Sequence, residues 1–244
     1  MSDCIREQCC LLIGDSLTQF GMEKDGWVHS MTRLYSAKLD VISRGVSGYN
    51  TSMVLHPANK GIFFPSHVLC CDESRPGPMF VVVWLGANDA AFKETCPGQH
   101  IPLDKFKENM THIIDELTKK YAVDHKRIIL VTPPPVGDKM YTEYCKKEHD
   151  SAVQRSSERT AKYAAIVRDL AKAREFNLFD AWEEIQKLRK AMKDDQVYVD
   201  GLHLTLLSQK IILRGLRKVL HKMGVDWDSL PFFLPNWRDA KAIE

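Results

Sequence analysis

The run Phe80-Val-Val-Val-Trp-Leu85 limits the fold more than any other stretch of this chain. It holds six apolar residues in a row, three of them β-branched. Such a run suits a strand buried on both faces, and strands of that kind belong to parallel sheets covered by helices on either side. The rest of the chain fits this setting. Cys10–Ile13 is a short apolar run closed by Gly14, Leu39–Ile42 is a second, Arg127–Thr132 a third and Asn177–Phe179 a fourth. Pro133, Pro134 and Pro135 stop the Arg127 strand from continuing.

Helical spacing lies between these runs. It covers Trp27–Leu39, Leu103–Tyr121, about Ser151–Glu175, Ala181–Met192 and Ser208–Lys222. Repeated strand–helix units predict an α/β fold with one parallel sheet of five strands. The chain has 244 residues, enough for one domain with a substantial core, and no stretch reads as a linker. The segment His56–Met79, with Pro57, Gly61, Pro65, Pro76, Gly77 and Pro78, reads as a loop-rich insertion.

In open parallel sheets, sites form beyond the carboxyl ends of the strands. Gly14-Asp15-Ser16 follows the first strand, Gly45-Val46-Ser47-Gly48-Tyr49-Asn50 the second and Gly86-Ala87-Asn88-Asp89 the third. Tyr198-Val199-Asp200-Gly201-Leu202-His203 stands between the last two helices. These are the residue types of acyl transfer. A serine hydroxyl attacks only when an imidazole takes its proton, and a carboxylate must orient that imidazole. Asp200 and His203 are three residues apart, so one turn presents both. An oxyanion needs donors already in place: the N–H of Ser16, that of Gly48, which has no side chain in the way, and the Asn88 amide.

Bland readings stand beside these. Ser16 could be a helix N-cap, Asp200 and His203 a solvated turn, and Gly48 and Asn88 ordinary turn residues. Asp15 reads as a residue that holds its turn by local hydrogen bonds, and Asp89 reads as scaffold. His100 is the other histidine within reach of the third strand's end.

The segments GDSLTQFG, RGVSGYNT, WLGANDA and DGLHLT resemble, in order, the four blocks of the SGNH (GDSL-type) hydrolases. The match runs from about Leu11 to Leu213. It implies a three-layer α/β/α sandwich of flavodoxin-like type and a Ser-His-Asp triad. Carried over, Ser16 is nucleophile and oxyanion donor, Gly48 and Asn88 are the other donors, His203 is the base and Asp200 its orienting acid. RGVSGYNT, QHIPL and the tail LPFFLPNWRD further resemble the isoamyl acetate-hydrolysing esterase branch, whose members are intracellular and act on short acetate and related esters. There are two departures. Ser43 stands where the family usually has Asn, and His56-Pro57 interrupts the helix that follows the second block.

The reading is therefore a carboxylic ester hydrolase for short, acetate-type esters, assigned to lipid degradation and working through an acyl-enzyme without metal or organic cofactor. Lysophospholipase or thioesterase chemistry is open, because a triad does not choose its leaving group. A catalytically idle anion-binding module of the same fold is the rival from another class. A net charge of +2 gives no strong field for nucleic acid, and no run of about 18 apolar residues marks a membrane span. Seven cysteines, an odd number with adjacent pairs at Cys9-Cys10 and Cys70-Cys71, read as reduced thiols in a cytoplasmic protein. The apolar end at about 225–244 reads as a clasp on the outside of the domain. Covering the site or joining a second copy in a homo-oligomer are its other arrangements.

Overall fold

The computed structural model of the chain describes residues 8–69, 77–149 and 151–233. In chain order the elements are β1 (Cys9–Gly14), α1 (Ser16–Gln19), α2 (Trp27–Leu34), β2 (Asp40–Gly45), α3 (Thr51–Leu55), α4 (Pro57–Phe63), α5 (Ser66–Leu69) and β3 (Phe80–Trp84). They continue as α6 (Leu103–Asp115), β4 (Ile128–Val131), α7 (Asp138–His149), α8 (Ser157–Ala173), β5 (Asn177–Phe179), α9 (Ala181–Ala191), α10 (Asp194–Val197) and α11 (Leu206–Lys222).

The five strands form one parallel sheet in the order β2-β1-β3-β4-β5, the flavodoxin-like arrangement. Alternate residues of the same strands feed opposite layers. Leu12, Val82, Trp84, Ile129 and Val131 face α2, α9 and α11, where they meet Trp27, Met31, Ile185, Ile212 and Leu216. Leu11, Ile13, Val81, Val83 and Leu130 face α3, α4, α6 and α8, where they meet Phe63, Phe106, Met110 and Val167. This is why the central strands read as unbroken apolar runs: both of their faces are covered.

Register sets the site. Gly14 pairs with Gly45 on one side and Trp84 on the other, so β1, β2 and β3 end level. The chain leaves β1 for β2 on one flank and returns for β3 on the other. That reversal opens a crevice at the carboxyl ends of these strands, between β1 and β3.

The structure corrects four boundaries. The second strand runs from Asp40 to Gly45, beyond the Leu39–Ile42 expected, while α2 ends at Leu34, before a left-handed Ala37 with φ 58°. The helix expected to Tyr121 is α-helical only to Asp115 and continues as a π-helical turn over Glu116–Lys120. The helix expected from Ser151 begins at Ser157, capped by Ser156, and α7 precedes it unforeseen. The insertion is less loop-rich than expected. Pro57 occupies the first turn of α4, where a missing N–H costs nothing, and α5 follows. Cys4, the Cys70-Cys71 pair and the insertion's residues 70–76 lie outside the described residues. Cys9, Cys10, Cys96 and Cys145 are free thiols.

The described part of the apolar end packs at the α2–β2 corner, near the amino end of β2. Trp227 packs edge-on against Tyr35 at 5.8 Å, Tyr35 donates its hydroxyl to Val225 O, and Phe233 N donates to Ala37 O. The site occupies the opposite end of the strands. Residues 234–244 of the expected clasp lie outside the described residues.

Candidate active site

Ser16 is the first residue of α1, and the preceding Asp15 caps the helix. Asp15 Oδ1 accepts from Leu17 N at 2.9 Å, and its carbonyl accepts from Thr18 N and Gln19 N. The N-cap role considered for Ser16 thus falls to its neighbour. That leaves the Ser16 hydroxyl free to turn toward the crevice.

His203 and Asp200 lie in a loop closed by the antiparallel bridge Tyr198–Leu204 and by Val199 N donating to His203 O. Asp200 Oδ1 accepts from Leu202 N at 2.8 Å and His203 N at 2.7 Å, which fixes the turn from inside. Gly201 has φ +92°, and a Cβ there would meet Tyr141 N at 2.4 Å. No other residue fits that position.

The imidazole of His203 lies between the other two side chains. Its Nδ1 is 2.5 Å from Asp200 Oδ2 and its Nε2 is 3.0 Å from Ser16 Oγ. The Phe20 ring packs on it at 4.9 Å. Burial pushes the Asp200 carboxyl up, but the hydrogen bonds from the His203 ring and the two backbone N–H groups outweigh it. Its pKa therefore lies below the ordinary carboxylate value. Asp200 is the charged partner that an imidazolium needs.

Ser16, Gly48, Asn88, Asp200 and His203 line one cavity of about 400 Å³. Gly48 has φ +80°, and its N–H points to no acceptor among the described residues. Asn88 donates its amide N–H to Tyr49 O at 2.8 Å, while its Oδ1 accepts from Arg155. A second cavity of about 300 Å³ shares Ser16, Asp200 and His203 and is walled by Leu17, Phe20, Val199 and Leu204. The larger cavity is polar and the smaller apolar, with the serine between them.

Asp15 and Asp89 lie beneath this rim, fully buried. Burial pushes Asp15 up to about 7, with the nearby Asp89 adding to the rise, and pushes Asp89 up to about 6. Asp89 Oδ1 accepts from Thr51 N and Oγ1, tying the third block to the start of α3. Both residues hold local structure, as their positions in the sequence imply. His100 instead stands against Arg159, 3.1 Å from its guanidinium. Among the described residues, no group of three or more His, Cys, Asp or Glu side chains is placed to hold a metal ion.

Sequence reasoning missed Gln99, Tyr141, Gln154 and Arg155, which line the larger cavity. Gln154 and Arg155 stand in the non-helical run before α8, in a polar stretch whose periodicity marks no element. Gln99 lies in the QHIPL stretch, which carried the family resemblance but pointed to no role.

The model of the GDSL-like lipase/acylhydrolase family matches residues 12–211. The chain is 32% identical to the isoamyl acetate-hydrolyzing esterase 1 homolog of Bos taurus, over 94% of this chain and 86% of the relative. It is 30% identical to a GDSL esterase/lipase of Arabidopsis thaliana, over 94% and 92%. Among solved structures, an acetylxylan esterase of Geobacillus stearothermophilus superposes with a TM-score of 0.66 at 19% identity, covering 91% of this chain and 97% of that one. At that identity the likeness is one of fold.

Proposed function

Because the chain belongs to the GDSL-like lipase/acylhydrolase family and is a serine esterase, we propose that Ser16 is its nucleophile, His203 its base and Asp200 the acid that orients the base. One observation carries this reading. The His203 imidazole bridges Ser16 Oγ and Asp200 Oδ2 through its two opposite nitrogens.

Ser16 Oγ attacks the ester carbonyl as His203 Nε2 takes its proton. The carbonyl oxygen becomes an oxyanion, held by the N–H groups of Ser16 and Gly48 and by the Asn88 amide. His203 then hands its proton to the departing alcohol, leaving Ser16 acylated. Water, deprotonated by the same imidazole, attacks the acyl-enzyme, and the acid leaves as Ser16 recovers its proton. Asp200 stays ionised throughout and stabilises the imidazolium. Protonated His203 cannot accept the serine proton, so turnover falls in acid.

For substrate we propose short acyl esters of the acetate type. The apolar cavity of about 300 Å³ suits a small alcohol or acyl group, and relatives such as the Bos taurus protein are named for isoamyl acetate. The four free thiols suit a cytoplasmic setting. No helix of the described residues is long and apolar enough to cross a membrane.

Nitrophenyl esters of increasing acyl length test the reading, with wild type compared to Ser16→Ala. Fast turnover of the acetate, falling with chain length and lost in Ser16→Ala, is the expected result. Turnover confined to thioesters or lysophospholipids moves the substrate class. Equal activity in both proteins removes Ser16 as nucleophile.

A further inference from the structure

Arg155 is buried, and among the described residues no carboxylate lies within 4.0 Å of its guanidinium. A buried charge without a counter-ion is costly, so its surroundings must supply other compensation. Here they are neutral oxygens. Nε donates to Ala87 O at 3.0 Å and Nη1 to the Tyr141 hydroxyl at 2.6 Å, while Nη2 is shared between Asn88 Oδ1 at 2.9 Å and Gln99 Oε1. Two of these acceptors, Ala87 and Asn88, belong to the third block, and the Gln99 amide leads to the second.

We propose that Arg155 is the positioning residue of the oxyanion hole. It holds Asn88 directly, and Gly48 through Gln99, so that their N–H donors face the substrate carbonyl. The inference rests on the esterase reading above. A guanidinium can only donate, so the amide oxygens of Asn88 and Gln99 must both face it. Each amide nitrogen is thereby turned the other way. The Asn88 nitrogen uses one hydrogen on Tyr49 O at 2.8 Å and keeps the second for the cavity. The Gln99 nitrogen donates to Gly48 O at 2.9 Å, pinning a residue whose left-handed backbone leaves its own N–H unengaged. The two chains of donors, Arg155–Asn88–Tyr49 and Arg155–Gln99–Gly48, converge on the same turn. The charge at their head polarises both amides and strengthens them as donors where negative charge develops.

The test is a double-mutant cycle on nitrophenyl acetate, with Arg155→Met, Asn88→Ala and the pair, each checked for folding by circular dichroism and thermal midpoint. Arg155→Met is expected to lower kcat by about a hundredfold with KM little changed. The loss in the pair should fall short of the product of the two single losses, because Arg155→Met acts in part through the Asn88 donor that Asn88→Ala already removes. Arg155→Lys should restore part of kcat, since it returns a charge without the fork. A lowered thermal midpoint with kcat intact, or losses that multiply in the pair, overturns the proposal. If Arg155→Met does not fold, Gln99→Ala decides: it should lower kcat at constant KM, and an unchanged kcat overturns the inference. Failure of the esterase reading looks different, because wild type itself then shows no turnover that Ser16→Ala abolishes.

Discussion

Among the described residues, two clusters hold a serine, a histidine and an aspartate, and they differ in which residue stands in the middle. In the first, His203 stands between Ser16 and Asp200. In the second, Asp226 stands between Ser229, whose Oγ and N both donate to Oδ1, and His221, whose Nδ1 is 2.8 Å from Oδ2. Both carboxylates are buried and both have depressed pKa values. Composition and electrostatics therefore do not separate them; the order of the bonds does. Ser229 donates hydrogen bonds from Oγ and N to a carboxylate that caps its turn, whereas Ser16 Oγ faces an imidazole, a group able to accept a proton. The second cluster ties the end of α11 to the following turn.

The largest effects separate the two serines. Ser16→Ala and His203→Ala should each lose about 10⁴–10⁶ in kcat on nitrophenyl acetate, and Asp200→Asn about 10⁴. Ser229→Ala and His221→Ala should leave kcat unchanged. A matching loss in Ser229→Ala would break the comparison. Asn88→Ala comes next, with a fall of about 10²–10³ in kcat from one missing oxyanion donor.

The second cluster should respond in stability instead. Asp226→Ala removes the acceptor of two close hydrogen bonds from Ser229 and one from His221, and urea unfolding should show a loss of about 1–3 kcal/mol with kcat retained. Its hydrogen bonds hold the Asp226 carboxyl down to about 2. The stability it contributes is present above the unfolded value near 4 and disappears as pH falls through about 2. Thermal midpoints of wild type and Asp226→Asn should therefore converge over that window.

A second stability effect has the opposite sign. Asp15 is raised to about 7 by burial, so its contribution is present below pH about 4 and is lost as pH rises through about 7. Asp15→Asn keeps an acceptor for Leu17 N and should flatten the stability profile between those values. An unchanged profile would show that the Asp15 carboxyl is already ionised in the folded protein.

The sheet was legible because burial on both faces writes itself as unbroken apolar runs such as FVVVWL, and the strand ends located the rim. The five residues Ser16, Gly48, Asn88, Asp200 and His203 were legible because each follows a strand or stands in a Gly-containing turn. Helix α7 was not. It buries little beyond Tyr141 and Cys145, four residues apart, and that is too few apolar positions to show a period. Arg155 was hidden for a different reason. A guanidinium in a polar run reads as solvated, and only the tertiary structure reveals that neutral oxygens surround it. Pro57 was half legible: α3 stops at Leu55, as the His56-Pro57 interruption implies, but the same proline starts α4, and a proline that starts a helix looks in sequence like one that only ends it.

The most direct test of the central claim is to treat the protein with a fluorophosphonate and map the adduct by peptide mass spectrometry. Attack by an activated serine on phosphorus displaces fluoride and leaves a stable phosphonyl ester. The account predicts one adduct, on the peptide carrying Ser16, that is absent in Ser16→Ala and suppressed in His203→Ala. An adduct on Ser229, or an active enzyme that carries no label at Ser16, would contradict it.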